Sequence, residues 1–155
     1  TTELNAATAG AANASSPALR AVAQQMASDF RAQQSNLAAL EAQLGVTGVA
    51  CDESARLTTD LAADLAATSG LTGAAFDDAF DTSQVAALSE IKQAINLDLL
   101  GCAANGNLKT TLRFDRLRSP DGGTVADGGP ALGIVPDLAA LQALLAEGGS
   151  DASAD

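Results

Sequence analysis

The side chains of this chain that could do chemistry are mainly carboxylates. The 155 residues contain no histidine. The glutamates are Glu3, Glu41, Glu53, Glu90 and Glu147. A di-iron site in a helical bundle needs about four carboxylates and usually two histidines, arranged in Glu-x-x-His pairs. No such pair exists here, so we expect the glutamates to be solvated surface groups, while a metal or redox site built from carboxylates alone stays open as the alternative.

Two groups of aspartates also invite an interpretation as cation ligands. Asp77 and Asp81 in "DDAFD" are one helical turn apart, and like charges at this spacing usually face water. Asp121 and Asp127 lie in the Gly- and Pro-rich stretch 119–130, which lacks the spacing and the closing glutamate of an EF-hand. Turn chemistry explains the second group, and we predict no metal ligand in either.

The residues needed for nucleophilic catalysis are missing. Without histidine there is no Ser-His or Cys-His pair. Lys92 and Lys109 have no flanking motif for a Ser-Lys pair, and neither cysteine has the CxxC spacing of a redox pair. No strand leads into a glycine-rich phosphate loop. We therefore predict no catalytic residue and no cofactor, and a protein that is not an enzyme.

Cys51 and Cys102 lie in stretches that resemble interhelical loops. A bridge between them would close a loop of about 50 residues and contribute roughly 4 kcal/mol in the chain-entropy model. We predict this disulfide, with two free thiols as the alternative; the bridge would imply an oxidising compartment. The chain starts at Thr1 rather than at methionine, as expected if a signal peptide has been removed. An exported protein is expected, whether periplasmic, cell-surface or extracellular.

The charge balance limits the partners. A net charge of −11 repels phosphate backbones and anionic membranes, so nucleic acid is a poor partner. No apolar stretch is long enough to span a bilayer. The one basic cluster could neutralise acidic helices within the molecule, or could dock an acidic protein or a second copy. It consists of Lys109, Arg113, Arg116 and Arg118.

The composition predicts an all-α fold. The apolar fraction is 47% and the aromatic fraction only 3%, and alanine and leucine suit helices that approach closely. The strongest helical pattern runs over 17–44, from Ser16 as N-cap and Pro17 at the first position to Gly45 as the end. Its inward stripe has steps of three and four and comprises Leu19, Ala23, Met26, Phe30, Gln33, Leu37, Leu40 and Leu44. Gln33 is its one polar member and the candidate for a buried polar group.

Further helices are predicted over about 54–69, over about 73–100 with Thr72 as a candidate N-cap, and after Pro136. The segment before Ser16 is either the first turns of the long helix or a separate piece. We therefore expect a bundle of four main helices. The domain would span 1–147, with an irregular excursion at about 101–133, and 148–155 would form a flexible polar tail.

Three stretches resemble motifs of a known family. They are "SSPALRAVAQQMASDF", "GAAFDDAFDTSQVAAL" and "IVPDLAALQALLAE". The family comprises secreted or periplasmic bacterial proteins with a ferritin-like helical bundle, catalogued as domain of unknown function 4142. The resemblance implies a ferritin-like four-helix bundle. It also places the family's three characteristic histidines at Phe30, Leu88 and Leu141.

Acidic residues of the family's pattern are kept at Glu3, Asp29 and Asp77. Apolar residues at all three histidine positions suggest a polar site converted into packed core. The function expected from the whole sequence is that of a non-catalytic exported bundle, acting in protein interaction or as a structural subunit. The alternative is a ferritin-like metal-binding or redox protein that uses carboxylates only.

Overall fold

The structure, a computed structural model, describes residues 2–47, 52–96, 106 and 134–151, and these residues form helices joined by short turns. The helices are α1 Thr2–Asn13, α2 Pro17–Leu44, α3 Asp52–Thr68, α4 Ala74–Ala94 and α5 Ile134–Asp151. The predicted all-α class is confirmed. None of the described helices combines the length and the apolar character needed to cross a bilayer.

The bounds of α2 are those expected from its sequence, because local capping sets both ends. Ser16 has an extended backbone, and its hydroxyl oxygen accepts a hydrogen bond from the Leu19 amide at 3.3 Å. Pro17 occupies the first turn, where no amide donor is needed. Gly45 ends the helix with a φ of 65°, in the left-handed region that glycine adopts without steric cost.

Other helix ends differ from the expected positions. The segment before Ser16 forms its own helix, α1, rather than extending α2. Gly73, not Thr72, is the N-cap of α4, and no side chain caps this helix. The N-cap residue has a positive φ of 61°. Glycine tolerates this conformation far better than threonine, so Gly73 rather than Thr72 occupies the position.

The last helix is longer than predicted at both ends. α5 starts at Ile134, so Pro136 lies inside its first turn, where the missing amide removes no intrahelical hydrogen bond. It continues to Asp151, so that residues 148–151 of the segment predicted as a flexible tail are helical. Gly148 and Gly149 lower helix propensity without forbidding the helix.

The helices pack around a shared interior. α1 packs against α2, α2 against α5, α5 against α4, α4 against α3, and α3 against α1. The interior includes Met26 from α2 and the stacked rings of Phe76 and Phe80, whose centroids are 5.7 Å apart. Two leucines from different helices, Leu88 of α4 and Leu141 of α5, are fully buried in the same cluster.

Candidate functional site

Three buried aspartates and a buried glutamine lie inside the bundle on three helices. Asp29 is on α2, Asp81 and Gln84 are on α4, and Asp137 is on α5. The expectation that Asp81 faces water is therefore wrong. It lies three residues before Gln84 and seven before Leu88, steps that place all three side chains on the inward face of α4.

Asp29 on α2 and Asp137 on α5 are both almost fully buried. Their exposed fractions are only 2% and 4%. The Gln25 side-chain amide donates a hydrogen bond to Asp29 Oδ1 at 2.7 Å, whereas Asp137 Oδ2 is buried without a hydrogen-bond partner. Burial, and secondly the charge of Asp29, raise the pKa of Asp137 to about 8. The carboxyl group of Asp137 therefore keeps its proton near neutral pH.

Asp81 and Gln84 form a second buried polar group on α4. Asp81 Oδ1 and Gln84 Oε1 are both buried without a hydrogen-bond partner. Burial first, and the charge of Asp78 second, raise the pKa of Asp81 to about 6. This carboxyl group titrates well above its ordinary range, as expected for an acid that loses water without gaining a donor.

Glu3 on α1 corrects the expectation that the glutamates are solvated. Both of its carboxylate oxygens are buried without a hydrogen-bond partner. Burial raises its pKa to about 7, and the charge of Asp64 adds to the rise while the amino terminus opposes it. Glu90, in contrast, is exposed as predicted and pairs with Arg56 at 3.4 Å. Glu41 is half-buried.

Asp77 has a structural role at the break between α1 and α2. Its Oδ1 accepts a hydrogen bond from the Ser15 amide at 2.8 Å, and its Oδ2 accepts from the Ser16 amide at 2.8 Å and from the Ser15 hydroxyl. Burial alone would raise the pKa of Asp77, but these hydrogen bonds and the charge of Arg20 bring it below its ordinary value. Asp77 therefore attaches the start of α4 to the turn between α1 and α2.

The buried acids do not form a metal centre in the described part of the chain. No group of three histidine, cysteine, aspartate or glutamate residues there could hold a metal ion. Arg20, Arg31 and Arg56 are exposed and Lys92 is half-buried, so no fully buried base among the described residues neutralises the acids. Burial favours the protonated form of Glu3, Asp81 and Asp137, whose pKa values it raises.

The three positions that the family resemblance assigned to histidines are all in the core. Phe30, Leu88 and Leu141 belong to one hydrophobic cluster. Gln33, predicted as the buried polar group, is only half-buried. Its neighbour on the same stripe, Leu37, is 41% exposed, whereas Leu40, the next member, is buried.

Several predicted site residues lie outside the described residues. These are Cys51 and Cys102 of the predicted disulfide, the basic cluster of Lys109, Arg113, Arg116 and Arg118, and the stretch 119–130 with Asp121 and Asp127. The side chains of Glu53 and Glu147 are likewise not described.

Sequence reasoning missed the buried acids because it judged them by residue type. A signal was present: Asp81, Gln84, Leu88 and Ile91 follow one another in steps of three and four, the same spacing that identified the apolar stripes. Asp29 likewise lies three residues after Met26 and directly precedes Phe30.

The chain belongs to a family described as a domain of unknown function, DUF4142, whose model matches residues 1–115. This confirms the family resemblance read from the sequence motifs. The match covers α1 to α4 and ends before α5. No curated protein and no solved structure matches the chain.

Proposed function

We propose that this member of the DUF4142 family is a non-catalytic, exported helical-bundle protein that acts through protein interaction, as a structural subunit of an assembly. The observation that carries the proposal is the apolar surface on the second half of α2. Leu37 is 41% exposed although it continues the inward stripe of that helix, and Val46 just beyond the helix is 56% exposed. Large apolar side chains left exposed at the end of an inward stripe are candidates for protein contact.

The charge distribution supports an interface at the same place. Residues 32–40 of α2 contain no charged side chain, in a chain with a net charge of −11. Two acidic molecules repel each other least where their surfaces are uncharged. Self-association of the chain through this part of α2 is therefore favoured over contact through its acidic surfaces.

A non-catalytic role is supported by the residue inventory. The 155 residues contain no histidine, which removes the base that activates serine or cysteine nucleophiles in most hydrolases. The carboxylate-only metal or redox function is the weaker alternative, because no three acids converge in the residues that the structure describes.

The ferritin-like arrangement of the bundle is part of the proposal. We place Phe30, Leu88 and Leu141 where relatives carry histidines, so that apolar packing replaces a polar cluster. Export and the bridge between Cys51 and Cys102 are proposed together. Thiol titration of the denatured, unreduced protein should find no free thiol, and two free thiols would contradict both.

Size-exclusion chromatography with light scattering tests the interaction. The wild-type chain is expected to self-associate, and Leu37→Glu is expected to reduce the associated mass, because it places charges inside the contact. Ser35→Glu is the matched control, since Ser35 is exposed and lies almost opposite Leu37 on the helix. A monomer at all concentrations for all three proteins would refute self-association.

Elemental analysis distinguishes the structural subunit from the alternative, a metal-binding or redox protein. Protein purified without added metal should contain no stoichiometric Fe, Mn or Zn. A stoichiometric metal would favour the carboxylate-based metal or redox protein over the structural subunit.

A further inference from the structure

A groove with a volume of about 350 Å³ lies between α5 and the C-terminal part of α4. Its lining comes from four residues at the end of α4 or just after it and from two residues of α5. They are Ser89, Lys92, Gln93, Asn96, Leu138 and Gln142. Clefts that bind small molecules have volumes of about 300–1,000 Å³, so the groove has room for a small ligand.

The lining residues from α4 share one face of the helix. Ser89, Lys92 and Asn96 follow one another in steps of three and four, and the helical backbone continues through Asn96. Side chains at this spacing are neighbours, with about 5–6 Å between their Cβ atoms. One molecule of a few carbon atoms can therefore contact Lys92 and Asn96 at the same time.

Lys92 carries the only charge in the lining of this groove. The chain has 19 acidic and 8 basic residues, yet no acidic residue is among those that line the groove. Lys92 also forms no ion pair with another residue that the structure describes. Its ammonium group is therefore available to a negatively charged ligand.

The neutral side chains place hydrogen-bond donors near Lys92. Asn96 Oδ1 is buried without a hydrogen-bond partner, so the accessible polar atom of this half-buried side chain is Nδ2, a donor. Gln93 and Gln142 are exposed and carry further amide donors. The Ser89 hydroxyl already donates to the Val85 carbonyl at 2.6 Å, so it adds no donor at the other end of the groove.

We propose that this groove binds a small carboxylate that carries a second oxygen, as hydroxy acids do. The carboxylate pairs with Lys92, and the second oxygen accepts a hydrogen bond from Asn96 Nδ2. Leu138 contributes the apolar part of the lining. The site is separate from the uncharged part of α2 and does not depend on the proposed function.

An NMR titration of the full chain with lactate tests the proposal. The amide signals of residues 89–96 and 138–142, which contain the lining residues, should shift with lactate concentration until they saturate. Lactamide, which keeps the hydroxyl group but has no charge, should shift these signals much less. Propionate, which keeps the charge but lacks the hydroxyl group, should bind more weakly than lactate.

Two variants with the same change of net charge show whether Lys92 acts locally. Lys92→Gln should weaken lactate binding about fivefold, as expected for the loss of one accessible charge pair. Arg31→Gln is the matched control, because Arg31 is exposed on α2 and is not part of the groove lining. This control and the charge-conserving Lys92→Arg should both bind lactate as the wild type does.

The proposal would be overturned by equal affinities of the wild type and Lys92→Gln for lactate. An equal loss in Arg31→Gln would also overturn it, because net charge alone would then explain the binding. Equal shifts with chloride at the same concentration would identify a non-selective contact with anions rather than a site. Gln142→Glu, at an exposed position, provides an independent variant: its added negative charge should weaken lactate binding, and unchanged binding would exclude this groove.

Discussion

Two carboxylates one turn apart on α4 behave in opposite ways, because their surroundings differ. Hydrogen bonds from Ser15 and Ser16 outweigh burial at Asp77 and lower its pKa. Asp81 is buried with an oxygen that accepts no hydrogen bond, and its pKa rises to about 6. The same residue type therefore stabilises the fold as an anion at one position and is tolerated chiefly as a neutral acid at the other.

Replacement of Asp77 should destabilise the fold although the residue is near the surface. Asp77→Ala leaves the amides of Ser15 and Ser16 without their acceptor. Because these hydrogen bonds are made to a charged group, their loss should lower the free energy of unfolding by about 2 kcal/mol. Chemical denaturation at neutral pH measures this loss. Asp78→Ala, at the exposed neighbouring position, should change stability by no more than about 0.5 kcal/mol.

The pH dependence of this difference provides a second check. Because the folded-state pKa of Asp77 lies below 3.8, its stabilisation is present above that value and is lost as the pH falls through the folded-state pKa. The difference in the free energy of unfolding between wild type and Asp77→Ala should therefore decrease in strong acid. If this difference persists in strong acid, the loss of side-chain volume rather than the loss of charge causes the lower stability of Asp77→Ala.

At the scale of the elements, α1 approaches α4 at a glycine. A Cβ atom built on Gly10 would lie 2.2 Å from Cζ of Phe80. The ring of Phe80 also stacks on Phe76, so it cannot move aside without disturbing a second core residue. The absence of a side chain at Gly10 is therefore what lets α1 and α4 pack this closely.

Gly10→Ala should lower stability, contrary to the usual effect of this substitution. Alanine is favoured over glycine within a helix by about 1 kcal/mol, but overpacking against Phe80 should cost about 1–3 kcal/mol. Thermal and denaturant unfolding measure the net change. In a Phe80→Leu background the ring is gone, so the same substitution should become neutral or stabilising; an equal loss in both backgrounds would contradict the steric argument.

At the scale of the whole molecule, the bundle contains buried acids on four helices. Glu3, Asp81 and Asp137 all have a pKa raised mainly by burial, to about 7, 6 and 8 respectively. Each binds a proton more tightly in the folded chain than in the unfolded chain. Their joint effect on stability has the same sign across neutral pH.

The melting temperature should therefore be highest in mild acid and should fall as the pH rises from about 5 to about 9. Raised folded-state pKa values give stability that is present at low pH and is lost as the pH passes through them. Calorimetry across this range measures the slope. In the triple variant Glu3→Gln, Asp81→Asn, Asp137→Asn, the melting temperature should depend less on pH. A wild-type melting temperature that is highest above pH 8 would exclude this account.

Features that depend on a few consecutive residues were predictable. The all-α class follows from the Ala- and Leu-rich composition, and the bounds of α2 follow from Ser16, Pro17 and Gly45, whose backbone preferences act locally. The family follows from short motifs within residues 1–115. Burial of the inward stripe was predicted correctly up to Phe30 and again at Leu40, but not at Leu37.

Features that depend on which helices meet were not predictable. No local rule states that α2 packs against α5, much further along the chain, or that Gly10 meets Phe80. The sequence by itself determined the helices and their apolar faces, because propensity and periodicity are properties of neighbouring residues. Only the tertiary structure decided which acids lose their water, because burial depends on contacts between distant helices.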